Sequence, residues 1–156
     1  MTGEDATVQE LEFIRDYSVT VARLWRAVTA PDQVVQWFGT EGVTIRNCDM
    51  NLSSKGSWVC EMVGKDSGQN FKISGYVTHV RAPDGNEGSV GFTWAWHDNE
   101  DSRGPESHVI FEVSSHEKGA RLRVVHRDLP DTETAQNHSR GWLSTLGRLD
   151  AFISHL

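Results

Sequence analysis

Positive charge is scarce in this chain: Lys and Arg total 15 against 22 Asp and Glu in 156 residues, a formal net charge of -7. A protein that neutralises phosphates needs a basic face, so no nucleic-acid partner is expected. Long apolar runs are also missing, none approaching the roughly 20 residues that cross a bilayer. The opening MTGEDATVQE is acidic where a secretory leader would be basic and then apolar. The sequence therefore predicts a soluble, cytoplasmic protein with no membrane span. Only two cysteines occur, Cys48 and Cys60, too few for a disulfide scaffold and without the Cys-x-x-Cys spacing of zinc or redox sites. They are expected as reduced thiols, although they flank a hairpin in which a cross-strand pair could form if the turn centres near Ser54. The seven histidines make no His-x-x-x-His or Glu-x-x-His pair on a helix, the spacing by which zinc sites usually announce themselves. The acidic tip Asp98-Asn99-Glu100-Asp101 lacks the spaced ligands and central glycine of an EF-hand loop. Nucleophile elbows, P-loops and dinucleotide fingerprints are absent too. No metal and no cofactor are expected, and kinase, dehydrogenase and hydrolase chemistries lose their usual sequence support.

What is present fits one globular domain over residues 1–156, with about 1–9 as a flexible leading segment. Surface scaling gives about 69% of the unfolded chain's area buried on folding, enough for a core without crosslinks. From Glu10 to Ser18, Leu11, Phe13 and Tyr17 recur at even spacing, the period of a half-buried strand. Val21, Leu24, Trp25 and Val28 then fall at i, i+3, i+4 and i+7, one stripe of a short helix that Ser18 or Thr20 can cap and Pro31 limits. A second short helix fits Asp32 to Phe38, with Gly39 able to take a left-handed conformation after it. Six further period-2 runs follow, near Val43–Cys48, Ser57–Val63, Asn70–Arg81, Ser89–His97, Ser107–Ser115 and Ala120–Arg127. Turn clusters rich in Gly, Asp, Asn and Ser separate them, as in an antiparallel meander. Beyond Pro130, Asp131 or Thr132 can cap a long helix whose stripe runs Ala135, His138, Trp142, Leu146, Leu149, Ile153 and Leu156.

Several strings in this frame are specific. The chain carries Trp25 to Thr29, Pro31, Trp37 to Gly39, Gly56 to Trp58, Gly75, Phe92 to Trp94, His126 after an alternating apolar run, and Gly141-Trp142 inside the last helix. Together with the order of elements, these resemble the family named after the activator of the heat-shock protein 90 ATPase, in the START-like, polyketide-cyclase-like superfamily. Many relatives have paired glycines before the third strand, where this chain has SSKG with Gly56 alone. The resemblance implies an α+β helix-grip fold: a seven-stranded antiparallel sheet curled around the long C-terminal helix, two short helices after strand one, and a pocket between sheet and helix. It implies no single chemistry, because sites are grafted differently on a shared frame. Relatives include lipid and polyketide binders, cyclase-like enzymes and a co-chaperone domain. The chaperone role transfers poorly, since the chain is too short for the additional domain of the eukaryotic activators.

Candidate site residues follow from the inward phase of each strand: Trp58, Phe71, His79, Trp94, Trp96, Phe111 and His126. Trp37 and Phe38 from the second helix and Trp142 and Leu146 from the last helix complete the candidate pocket. Six tryptophans can fill a core that a wide sheet and one helix would leave hollow, or can line a cavity where rings stack on a flat ligand. The expected function is binding of a small apolar or aromatic molecule without catalysis. The enzyme alternative, a cyclase- or dehydratase-like protein, uses His126, kept neutral by burial, as an acid or base. It needs a second polar group in the same pocket, and no carboxylate sits at a spacing that must pair with it. The oligomeric state is not legible.

Overall fold

The alternating runs become one seven-stranded sheet in the computed structural model, which describes residues 9–154. The elements are β1 (Gln9–Tyr17), α1 (Val21–Thr29), α2 (Pro31–Trp37), β2 (Val43–Asp49), β3 (Gly56–Gly64), β4 (Asn70–Arg81), β5 (Glu87–Trp96), β6 (Ser107–His116), β7 (Gly119–Leu129) and α3 (Thr132–Ser154). Expectations for residues 1–8 and for Leu156 fall outside the described residues. Spatial order is β1-β7-β6-β5-β4-β3-β2, antiparallel throughout. Since β1 lies at one edge and β2 at the other, α1 and α2 carry the chain across the sheet between them. This is the helix-grip architecture.

Local chemistry sets the helix limits. Thr20 Oγ1 accepts from the Arg23 N–H at 3.0 Å and caps α1, while Pro31 ends α1 and opens α2. The Trp37 indole donates to the Ala27 carbonyl at 2.8 Å and pins α2 to α1. Asp131 Oδ1 accepts from the Thr134 N–H at 2.7 Å and caps α3. The 23 residues of α3 reach roughly 34 Å. Its far end is tied to the sheet by the Tyr17 hydroxyl, which donates to Asp150 Oδ1 at 2.6 Å.

Asn51 Oδ1 accepts from the Ser53 N–H at 3.0 Å, so a side chain organises the β2–β3 turn before Gly56. Cys48 and Cys60 sit directly opposite one another in that hairpin, and both are free thiols. In β4 the register slips: Val77 faces Phe92 but His79 faces Gly91, leaving Thr78 as an extra residue. The bulge inverts the phase, so Val80 packs against the core and His79, expected to point inward, is exposed on the outer face. Its ring lies over Gly91, where a Cβ would come within 2.5 Å of His79 Cε1.

Candidate ligand-binding cavity

Between the curved sheet and α3 lies a cavity of about 390 Å³. The sheet contributes Val43, Met62, Phe71, Trp94 and Trp96. From α3 come Asn137, His138, Gly141, Trp142 and Thr145, steps of one, three and four that share one helical face. Phe38, Gly39 and Thr40 close the third side. No charged side chain lines it among the described residues.

The closing segment is held by α3. Arg148 Nη1 donates toward the carbonyls of Phe38, Gly39 and Thr40 at 3.1, 3.2 and 3.3 Å. Gly39 takes φ +91°, and a Cβ there would lie 3.0 Å from both Met62 Sδ and Val43 Cγ2. Backbone conformation and space both call for glycine.

Trp94 is the hub of the aromatic wall. Its ring stands 5.3 to 5.9 Å, centroid to centroid, from those of Phe38, Trp58, Trp96, His126, His138 and Trp142, within the range of tilted and edge-to-face packing. The indole of Trp58 donates to the Thr93 carbonyl at 3.0 Å, and that of Trp142 to His126 Nδ1 at 3.0 Å. Trp94 Nε1 is buried and has no partner among the described residues. Gly75 makes the Trp58 bond feasible, for a Cβ there would lie 1.9 Å from the Thr93 oxygen and 2.7 Å from Trp58 Nε1.

His126 is fully buried, and both its ring nitrogens are engaged. Because Trp142 can only donate, Nδ1 is the acceptor, so Nε2 carries the proton and donates to Ser107 Oγ at 2.7 Å. Burial, aided by the neighbouring His138 and His108, pulls its pKa down from 6.5 to about 3. The imidazole is neutral and sits behind the cavity wall. His138 differs: half-buried, it lines the cavity, its ring 4.6 Å from that of His126, and burial lowers its pKa as well.

Of the candidates from sequence, Phe38, Phe71, Trp94, Trp96 and Trp142 line the cavity, with Trp96 38% exposed at its edge. Trp37, Trp58, Phe111, His126 and Leu146 are buried behind it, and His79 is on the other face. Sequence reasoning placed His138 on the helical stripe but missed it as a lining residue, and it missed Asn137, Gly141 and Thr145 beside it. A histidine within an otherwise apolar stripe was the available signal.

The family model described as Activator of Hsp90 ATPase homolog 1-like protein matches residues 18–154. A crystal structure of an AHSA1 protein from Silicibacter pomeroyi is similar at 39% identity and TM-score 0.85, covering 94% of this chain and 98% of that one. A protein from Chromobacterium violaceum shares the fold at 21% identity and TM-score 0.77, over 92% and 96% of the two chains. A solution structure from Arthrobacter aurescens does so at 18% identity and TM-score 0.76, over 97% and 88%. No curated protein matches the sequence.

Proposed function

The chain belongs to the Activator of Hsp90 ATPase homolog 1-like family, and from that premise we propose that it binds a small, uncharged aromatic or apolar molecule in the cavity between sheet and α3. The observation that carries this is an aromatic-walled space of about 390 Å³ with no charged lining side chain among the described residues. That size lies within the range of small-molecule sites. A carboxylate or ammonium entering it would lose hydration without an ionic partner, a cost that selects neutral ligands. Orientation comes from His138, whose neutral imidazole can donate and accept.

Cyclase chemistry through His126 is not favoured. Both ring nitrogens are already bonded, and neither faces the cavity without displacing Trp142 or Ser107. The ATPase activation in the family's description belongs to the proteins so named, and nothing in this cavity's chemistry addresses a chaperone.

The test uses 2-naphthol, its charged counterpart 2-naphthoate, and Gly141→Phe. A Cβ at Gly141 meets only Thr40 Cγ2, at 4.0 Å, so a larger side chain can project into the cavity. Replacing a helix-interior glycine by phenylalanine also favours the helix by a few tenths of a kcal/mol. Calorimetry is expected to show 2-naphthol binding at least tenfold tighter than 2-naphthoate, with binding lost in a Gly141→Phe protein that melts no lower. Equal affinity for the two probes, or undiminished binding in the filled variant, would overturn the proposal.

A further inference from the structure

Facing away from the cavity, β4 and the loop after β5 bring together a serine, a histidine and an aspartate that the binding role does not use. Ser74 Oγ lies 2.6 Å from His97 Nε2, and His97 Nδ1 lies 2.7 Å from Asp101 Oδ1. Arg103 Nε donates to Ser74 Oγ at 3.1 Å, and its Nη2 donates to the Ser74 carbonyl at 3.1 Å. With the imidazole neutral, one proton arrangement satisfies all four groups. An ionised carboxylate accepts, so Nδ1 carries the imidazole proton; Nε2 then presents its lone pair to the serine O–H, and arginine can only donate to Oγ.

We propose that Ser74, His97 and Asp101 are a nucleophilic triad for small, unhindered aryl esters, with Arg103 beside the developing oxyanion. Such triads are recognised by geometry and not by chain order, which is why the absence of a nucleophile-elbow motif does not speak against it. The site does not depend on the cavity reading.

Preorganisation supports the assignment. The loop is braced from within: Asp98 Oδ1 accepts from the N–H groups of Glu100 and Ser102, each at 2.9 Å. It is then clasped to the strand end, with Gly104 N–H bonded to the Trp96 carbonyl at 2.8 Å and His97 bridged to Arg103. Asp101 sits at φ +65°, a conformation that costs a non-glycine residue energy and recurs at functional sites. Lys72, at 3.0 Å, and His97 hold its carboxyl below the usual range, keeping it ionised. The His97 side chain is only 10% exposed, so the imidazole is fixed in place. Tyr76, two residues along the same face from Ser74 and 52% exposed, offers a flat surface to an aryl group. An open sheet face that does not wrap its substrate suits small acyl groups with good leaving groups.

The reaction balances with water as the second substrate. Ser74 Oγ forms a bond to the ester carbonyl carbon while its proton passes to His97 Nε2, and Arg103 stabilises the oxyanion. Collapse breaks the bond to the aryloxy group, which leaves with the proton from His97, and the acyl group stays on Ser74. A water molecule, deprotonated by His97, then attacks the acyl carbon and releases the carboxylic acid and the free serine. Asp101 is a positioning residue that holds the imidazole tautomer.

The test is p-nitrophenyl acetate with the intact protein. The expected result is a stoichiometric burst of p-nitrophenolate and one acetyl group mapped by peptide mass spectrometry to Ser74. Ser74→Ala and His97→Gln should lower the rate about 10²-fold or more, while 2-naphthol binding stays intact. Asp101→Asn should slow the reaction and shift its pH–rate profile, which a purely structural role would not do. If Ser74→Ala does not fold, Ser74→Cys keeps a nucleophile and should be acetylated at the introduced thiol. Acetylation of Lys72 or a histidine in place of Ser74, or a rate unchanged in Ser74→Ala, would overturn the assignment.

Discussion

Replacing His126 by Gln should remove a definite part of the protein's sensitivity to acid. In the native state the imidazole is neutral, fixed between the Trp142 indole and Ser107, with a pKa near 3; on unfolding it returns to about 6.5. Between those values the unfolded chain binds a proton that the native chain does not, so stability is full above about pH 6.5 and falls as the pH drops. The slope approaches 1.36 kcal/mol per pH unit. Integrated from pH 6 to pH 4, the loss from this one group is roughly 2 to 3 kcal/mol. Gln suits the comparison because its amide oxygen can accept from Trp142 and its NH2 can donate to Ser107, without a titrating group. Urea unfolding followed by tryptophan fluorescence at pH 4, 5, 6 and 7 measures both proteins. Subtracting one curve from the other cancels the carboxylates, which are common to both proteins. The wild-type advantage over His126→Gln should shrink by that 2 to 3 kcal/mol on acidification; a constant gap would show that His126 is not held neutral and buried.

Two further outcomes follow from local geometry. Gly39→Ala places a Cβ at φ +91° and 3.0 Å from Met62 and Val43, so the free energy of unfolding should fall by about 1–3 kcal/mol, with 2-naphthol binding weakened because the cavity's closing segment shifts. Reductant should leave the unfolding midpoint unchanged, since the opposed Cys48 and Cys60 are free thiols; a loss of several kcal/mol on reduction would reveal a disulfide.

The fold was legible because strand and helix periods rarely coincide. The alternation of Trp58, Cys60 and Met62 can only be one face of a strand, and Trp142, Leu146 and Leu149 only one face of a helix. The His79 phase was not legible: a bulge adds one residue without altering composition, and nothing in Thr78 marks it. His126 was correctly placed on the inward face, but its partners Ser107 and Trp142 lie 19 and 16 residues away, and such pairing is fixed only when strands and helix assemble. The same limit concealed which aromatic rings border a void. Trp94 and Trp58 share an inward phase and touch one another, yet only Trp94 lines the cavity, because the position of α3 decides where space remains. Ser74, His97 and Asp101 were invisible for a related reason, since the return of the loop over β4 creates their contact.

A neutral ligand that enters the cavity must lie against Trp94. The indole N–H region of a proton–nitrogen correlation spectrum reports on that contact, and Trp37, Trp58 and Trp142 each donate to a protein acceptor while Trp94 has none among the described residues. On titration with 2-naphthol, the Trp94 signal, assigned by loss in Trp94→Phe, should move saturably, while those of Trp37 and Trp58 stay in place. A Trp94 signal that does not respond at saturating 2-naphthol would contradict the account.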